Sequence, residues 1–153
     1  MLNIVLYEPE IPSNTGNIGR TCAATGTRLH LIRPYGFVID DKSLKRAGMD
    51  YWSLLEVFEY DDFESFTREN PNANIYISTT KAEKFYTEVQ FKKDDFIMFG
   101  KESAGIPKDI LRKYPENMIR IPMMRERRSL NLANSVAIAL YEALRQQEFP
   151  YLS

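Results

Sequence analysis

Short, mostly apolar runs alternate along this chain with polar stretches and with segments of helical periodicity. Leu2 to Tyr7, Arg28 to Ile32, Ile75 to Ser78, Phe96 to Phe99 and Met118 to Pro122 are runs of the first kind. Each is closed by proline, glycine or small polar residues, the pattern of buried strands. Tyr51 to Tyr60 is ambiguous between strand and helical turn, and a strand near Leu55 to Phe58 is expected. After the first strand Asn14, Thr15, Gly16 and Asn17 read as a polar turn leading into a helix through Ile18, Cys22, Ala23 and Ala24. Asp40 or Asp41 can cap a short basic helix from Lys42 to Ala47, stopped by Gly48, and Asp61 or Asp62 can cap one through Phe63 and Phe66 that ends before Pro71. Pro107 opens a helix reaching Tyr114. In the last segment Ser129 or Asn131 can cap a helix whose Leu132, Val136, Leu140 and Leu144 recur every four residues, so one face must be buried. Strands alternating with helices at this spacing predict an α/β fold, a mostly parallel sheet flanked by helices, with ligands expected beyond the carboxyl ends of its strands.

With 153 residues and no repeat or linker, the chain reads as one domain over residues 1–153. A single cysteine, Cys22, and a single histidine, His30, exclude an internal disulfide and leave too few ligands for a zinc site, so no metal is implied. The chain starts directly on a strand and holds no run approaching the ~18 apolar residues of a membrane span, which reads as a cytoplasmic protein with no membrane partner. The net charge of −1 argues against a large nucleic-acid footprint. Yet Arg28 and Arg33, then Lys42, Lys45 and Arg46, then Arg125, Arg127 and Arg128 are basic groups, and a moderate polyanion site results if they converge.

Three loops rich in small residues follow strands: Ser78-Thr79-Thr80, Gly100 to Gly105, and Met123 to Ser129. Loops of this kind let backbone N–H and C=O groups approach a ligand closely, although isolated glycines more often only make turns. No G-x-G-x-x-G follows the first strand, and Gly100 to Gly105 continues Ile106-Pro107 where a phosphate-binding loop needs lysine and a hydroxyl residue, so nucleoside triphosphate hydrolysis is not expected. His30 within an apolar strand and Cys22 among small helical residues read as packing residues. Arg20 has two readings, an exposed surface arginine or a cation aimed into the crevice at a phosphate or a developing oxyanion. These residues alone reach an α/β enzyme or binder with a nucleoside-sized crevice. A non-catalytic RNA-binding α/β protein stays open beside it. A nucleotide-dependent oxidoreductase would need an acidic residue after a glycine-rich first turn, a grammar the Asn14 to Gly19 stretch lacks.

Three ordered stretches carry a resemblance: Asn14-Thr15-Gly16-Asn17-Ile18-Gly19-Arg20, Phe99-Gly100-Lys101-Glu102-Ser103-Ala104-Gly105-Ile106-Pro107, and Ile119 to Met123 with Ser129-Leu130-Asn131-Leu132-Ala133-Asn134-Ser135. Together they resemble the three motifs of the SPOUT (α/β-knot) RNA methyltransferases. Leu2 to Asn17, Asp40-Asp41-Lys42 and Arg46-Ala47-Gly48 are most similar to the small TrmL/YibK-type enzymes that 2′-O-methylate the wobble nucleotide, cytidine or modified uridine 34, of tRNA. The resemblance implies a homodimer, a C-terminal deep trefoil knot, S-adenosyl-L-methionine as donor with S-adenosyl-L-homocysteine as product, and the tRNA anticodon stem-loop as substrate. By position it implies cofactor contacts at Ser78, Thr79, Gly100, Glu102, Ile121, Met123, Ser129 and Leu130, and substrate-side roles for Asn14, Arg20 and Asn131. It also implies Arg20 as the catalytic residue, a place the family is described as using to activate the hydroxyl; a guanidinium is a poor base, so charge stabilisation and phosphate anchoring are the expected role here. Tyr141 is a further candidate, as a base or as an RNA-stacking substrate contact, with helix packing as its alternative. Against the family pattern, Ser78 replaces an apolar residue, Lys101 a proline and Gly19 a bulkier residue, the last loosening its helix by about 1 kcal/mol; the Arg125 to Arg128 loop is shorter.

Overall fold

A computed structural model of the chain describes residues 1–40, 42, 52–126 and 129–153. The apolar runs become a parallel sheet because its central strands bury both faces, which largely hydrophobic runs permit and alternating ones do not. In chain order the elements are β1 (Asn3–Tyr7), α1 (Pro12–Thr25), β2 (Arg28–Ile32), a 3₁₀ turn (Trp52–Leu54), β3 (Val57–Tyr60), α2 (Phe63–Glu69), β4 (Ile75–Ser78), a 3₁₀ turn (Tyr86–Glu88), β5 (Phe96–Phe99), α3 (Lys108–Leu111), β6 (Met118–Ile119) and α4 (Leu132–Gln146). The sheet order is β3-β2-β1-β5-β4-β6, and every pairing is parallel. The chain builds outward from β1 to β3 and then returns to the other side of β1. The order therefore reverses between β1 and β5, where an open α/β sheet leaves a crevice at its carboxyl edge.

Alternation along the strands divides the interior in two. Ile4 and Leu6, Leu29 and Leu31, and Ile97 and Phe99 face α1 and α4, meeting Ile18, Cys22, Val136 and Leu140. Val5, Ile32, Ile77 and Met98 face the opposite layer, where Phe63, Phe66, Ile110 and Leu111 cover them. In α4 the predicted stripe is buried at Val136, Leu140 and Leu144 and partly buried at Leu132, with Ala139 and Ala143 beside it. Each fully buried leucine or valine there contributes about 1.5–3 kcal/mol. Asn131 is the cap, accepting from Asn134 N at 3.2 Å. Asp62 caps α2 by accepting from Ser65 N at 2.7 Å.

Several boundaries differ from the sequence reading. The stretch from Asn14 to Asn17 is not a turn but the body of α1, which begins at Pro12; a carboxylate from a distant loop supplies the missing N-terminal acceptor. The last strand stops at Ile119, because beyond it Arg120 turns to bridge Phe85 instead of continuing along β4. The strand near Leu55 to Phe58 starts two residues later, after the 3₁₀ turn at Trp52, and the helix expected to reach Tyr114 ends at Leu111. Gly19 is explained by a close approach: a Cβ there would stand 3.0 Å from Trp52 Cζ3, so this glycine lets Trp52 lie against α1. The basic helix expected over residues 42–47, its stop at Gly48, and the Arg127 and Arg128 part of the basic loop fall outside the described residues, apart from Lys42.

Candidate active site

At the carboxyl edge of the sheet a cavity of about 600 Å³ opens between the loops that follow β1, β4, β5 and β6 and the start of α4. Its volume lies within the ~300–1,000 Å³ that holds ligands of nucleoside size. The β4 end contributes Ser78 and Thr79, the β5 end Gly100 and Glu102, and the β6 end Ile121 and Met123; Ser129, Leu130 and Asn131 close the side beneath α4, and Asn14 the side beneath α1. Ten of the predicted site residues thus meet at one place. Arg20 and Tyr141 do not line it. Arg20 lies on the exposed face of α1, six residues and about 9 Å of helix axis beyond Asn14, and Tyr141 is 46% exposed on α4.

The β5 loop turns back on itself tightly. Gly105 N donates to Lys101 O at 2.8 Å, Gly105 takes φ +68°, and a Cβ at Gly100 would collide with the Gly105 backbone. Only a residue without Cβ fits at Gly100, and a left-handed φ at Gly105 suits glycine. The result is a tight turn that sets the small residues Ser103, Ala104 and Gly105 at the cavity.

Polar contacts bolt this loop to the start of α1. Glu102 accepts from Glu10 N at 3.0 Å, from Ile11 N at 2.9 Å and from Asn14 Nδ2 at 3.2 Å. A carboxylate here satisfies amide donors at the helix entry and lies at the positive end of its dipole, which explains why α1 begins as early as Pro12 without a side-chain cap of its own. Asn14 Oδ1 in turn accepts from Asn131 Nδ2 at 3.0 Å, linking α1 to α4. Glu10 accepts from Ser103 N at 2.8 Å, and the Ser103 hydroxyl and N–H hold its carboxyl below the usual carboxylate range. Lys101 pairs with Glu8 at 3.2 Å. The Glu102 side chain is therefore engaged in bracing the loop, and the residue also lines the cavity.

The remaining candidates separate cleanly. Arg28 begins β2, at the opposite edge of the sheet, and pairs with Glu56 at 3.4 Å; Arg33 pairs with Glu59 and Asp61. These basic residues do not converge on the cavity. His30 is a buried packing residue held by Tyr60 and Asn3, and burial pushes its pKa down to about 4. Burial pushes the Cys22 thiol up, which makes it a poor nucleophile. Among the described residues no group of His, Cys, Asp and Glu stands ready to hold a metal. Two lining residues, Ile11 and Lys81, were not singled out from sequence. Lys81 continues the polar loop that follows β4, and its place there was the available signal.

Comparison with known proteins gives a concordant result. The model of the SpoU rRNA Methylase family matches residues 1–141. A tRNA (cytidine(34)-2′-O)-methyltransferase of Escherichia coli strain K12 is 50% identical over 152 residues, 98% of this chain and 96% of that protein. A solved structure, described as giving insight into 2-OH methylation of C/U34 on tRNA, superposes with a TM-score of 0.91 at 43% identity, covering 97% of each chain. An AdoMet-bound rRNA methyltransferase from Sinorhizobium meliloti superposes with a TM-score of 0.82 at 25% identity, covering 99% of this chain and 57% of the other.

Proposed function

The chain belongs to the SpoU rRNA Methylase family, and from that premise we propose that it transfers a methyl group from S-adenosyl-L-methionine to the ribose 2′-oxygen of nucleotide 34, cytidine or modified uridine, in tRNA. The observation that carries this reading is the meeting of the Gly100 to Gly105 loop, the Ile121 to Met123 segment and the Ser129 to Asn131 segment around one nucleoside-sized cavity. The donor set suits such a ligand. Backbone groups of a glycine rim and the hydroxyls of Ser78, Thr79 and Ser129 can hold a nucleoside, and Ile121, Met123 and Leu130 offer apolar surface to its base. S-adenosyl-L-homocysteine is the product left in the same place.

The bound cofactor supplies an electrophilic sulfonium methyl group. The protein's own residues position and stabilise. Asn14, held between Glu102 and Asn131, fixes the start of α1 relative to the cavity and so sets where Arg20 points. Arg20 stabilises negative charge on the 2′-oxygen as it attacks and anchors a neighbouring phosphate; a guanidinium is a poor base, and the hydroxyl proton passes to solvent. Holding the two reacting atoms about 3–3.5 Å apart is the larger part of the catalytic task.

Further features follow from family membership. A homodimer is supported by the exposed stripe Asn134, Ile138, Tyr141 and Arg145 on α4, in which Ile138 is 37% exposed. A second copy packed on this stripe covers Tyr141, which then acts through packing, and leaves the Arg20 face, which lies outside the cavity of its own chain, for a bound anticodon stem-loop. A C-terminal trefoil knot, a single domain, a reaction without metal, and a cytoplasmic setting complete the reading. Among the described residues no helix is long and apolar enough to cross a membrane.

Mass spectrometry of tRNA nucleosides from cells with and without the gene tests the proposal. Loss of the 2′-O-methyl group at position 34 is the expected result. An unchanged modification pattern would overturn it and favour an RNA binder without catalysis.

A further inference from the structure

The charged groups around the cavity are nearly all committed to the protein itself. The Glu102 carboxylate takes two backbone N–H groups and the Asn14 amide. The Lys101 ammonium is paired with Glu8 at 3.2 Å. Lys81 differs. It lines the cavity, its side chain is exposed, and among the described residues its ammonium has no hydrogen-bond or ion-pair partner. The neighbouring Lys84, by contrast, donates to Glu116 O at 3.0 Å.

The backbone fixes where Lys81 stands. Thr79 Oγ1 accepts from Lys81 N at 3.2 Å, Ala82 N donates to Thr79 O at 3.3 Å, and the Ala82 side chain is 97% removed from solvent, at 3% exposure. Lys81 is thus presented at the mouth of the cavity by a turn pinned at both ends. A cation so placed, with no protein partner, is available to an anion brought by the ligand. A methyl donor of the proposed class carries one anionic group, the carboxylate of its amino-acid arm. Lysine suits this task as a point charge on a long flexible stem.

We infer that Lys81 anchors the carboxylate of the donor's amino-acid arm at the mouth of the cavity. This rests on the proposed function, and it assigns the one end of the donor that the glycine rim and the apolar residues do not account for. An RNA phosphate is the competing anion, and the test separates the two.

Calorimetry with purified full-length protein uses two probes, S-adenosyl-L-homocysteine and 5′-methylthioadenosine, which shares the nucleoside and thioether but lacks the amino-acid arm. Lys81→Gln should weaken S-adenosyl-L-homocysteine binding about tenfold, as loss of a charge-assisted hydrogen bond does, and leave 5′-methylthioadenosine unchanged. Lys81→Arg should restore most of the loss. Because the side chain is exposed, the fold should tolerate both changes. Equal weakening of both probes, or no weakening of either, overturns the inference. Loss of tRNA affinity with S-adenosyl-L-homocysteine binding intact assigns Lys81 to a phosphate and overturns it equally. If the unaltered protein binds neither probe, the proposed function falls with it; if it binds and only the Lys81→Gln result fails, the proposed function stands alone.

Discussion

Asn14 and Asn131 are 117 positions apart in the chain, and their side chains meet at 3.0 Å. Through that contact, and through Glu102 on the other side of Asn14, the starts of both helices on one face of the sheet are tied to the loop that rims the cavity. Asn131 also caps α4, so it serves two structures at once. Asn131→Ala is expected to cost about 1–2 kcal/mol, a lost cap plus a lost side-chain bond. In a double-mutant cycle with Asn14→Ala, denaturant unfolding should give a coupling of about 1 kcal/mol. Strictly additive effects would mean that the contact is incidental.

Gly100→Ala should be far more damaging than its one added methyl implies, because that methyl collides with the backbone of Gly105. Moving backbone out of a closed turn costs about 1–3 kcal/mol. It also opens the rim, so calorimetry should show S-adenosyl-L-homocysteine affinity reduced by at least about tenfold, the equivalent of ~1.4 kcal/mol. Near-normal affinity would place the ligand elsewhere.

Arg20→Ala should separate chemistry from donor binding. Arg20 lies outside the cavity on an exposed helix face, so donor affinity should hold. Single-turnover methylation should fall by about a hundredfold or more, the scale of losing one charge-stabilising donor. Equal loss of both would mean that Arg20 acts by supporting the fold.

Low pH should weaken the fold through His30. Asn3 Nδ2 faces the carbonyls of Met1, Asp94 and Asp95, which leaves Asn3 Oδ1 to accept from His30 Nε2–H and His30 Nδ1 to accept from the Tyr60 hydroxyl. The ring is therefore held neutral, and its pKa is pushed down to about 4 by burial first and by Arg28 second. The unfolded chain, with histidine near ~6.5, binds this proton more readily, so stability is lost as pH falls from 6.5 toward 4. Between pH 7 and 5 the loss is about 2 kcal/mol. His30→Gln should flatten this slope, cleanly so because the chain holds a single histidine. A slope unchanged in His30→Gln would assign it to other groups.

The strands were legible because the strands of a covered parallel sheet are short, largely apolar runs closed by turn residues, and β2, β4 and β5 occupy the expected residues. The start of α1 was not legible. Asn14, Gly16 and Asn17 have poor helix propensity, and the acceptor that offsets it is Glu102, which lies 88 positions beyond Asn14 and which no local pattern announces. The short β6 had a similar cause, since Arg120 leaves β4 to pair with Phe85. At the site, the loop positions after strands gather at one cavity because the topology puts them there. The bracing contacts of Glu102 were not legible because two of its three partners are backbone amides, which carry no sequence signature. Lys81 escaped attention for the opposite reason, being a lone lysine in a polar loop until the other charges nearby are seen to be paired.

The most direct measurement is methyl transfer by the purified protein from isotopically labelled S-adenosyl-L-methionine to tRNA, with the labelled nucleotide mapped by nuclease digestion and mass spectrometry. The expected product carries one labelled methyl on the 2′-oxygen of nucleotide 34 and none elsewhere. Absence of transfer, or label on a base or at another position, would contradict the account.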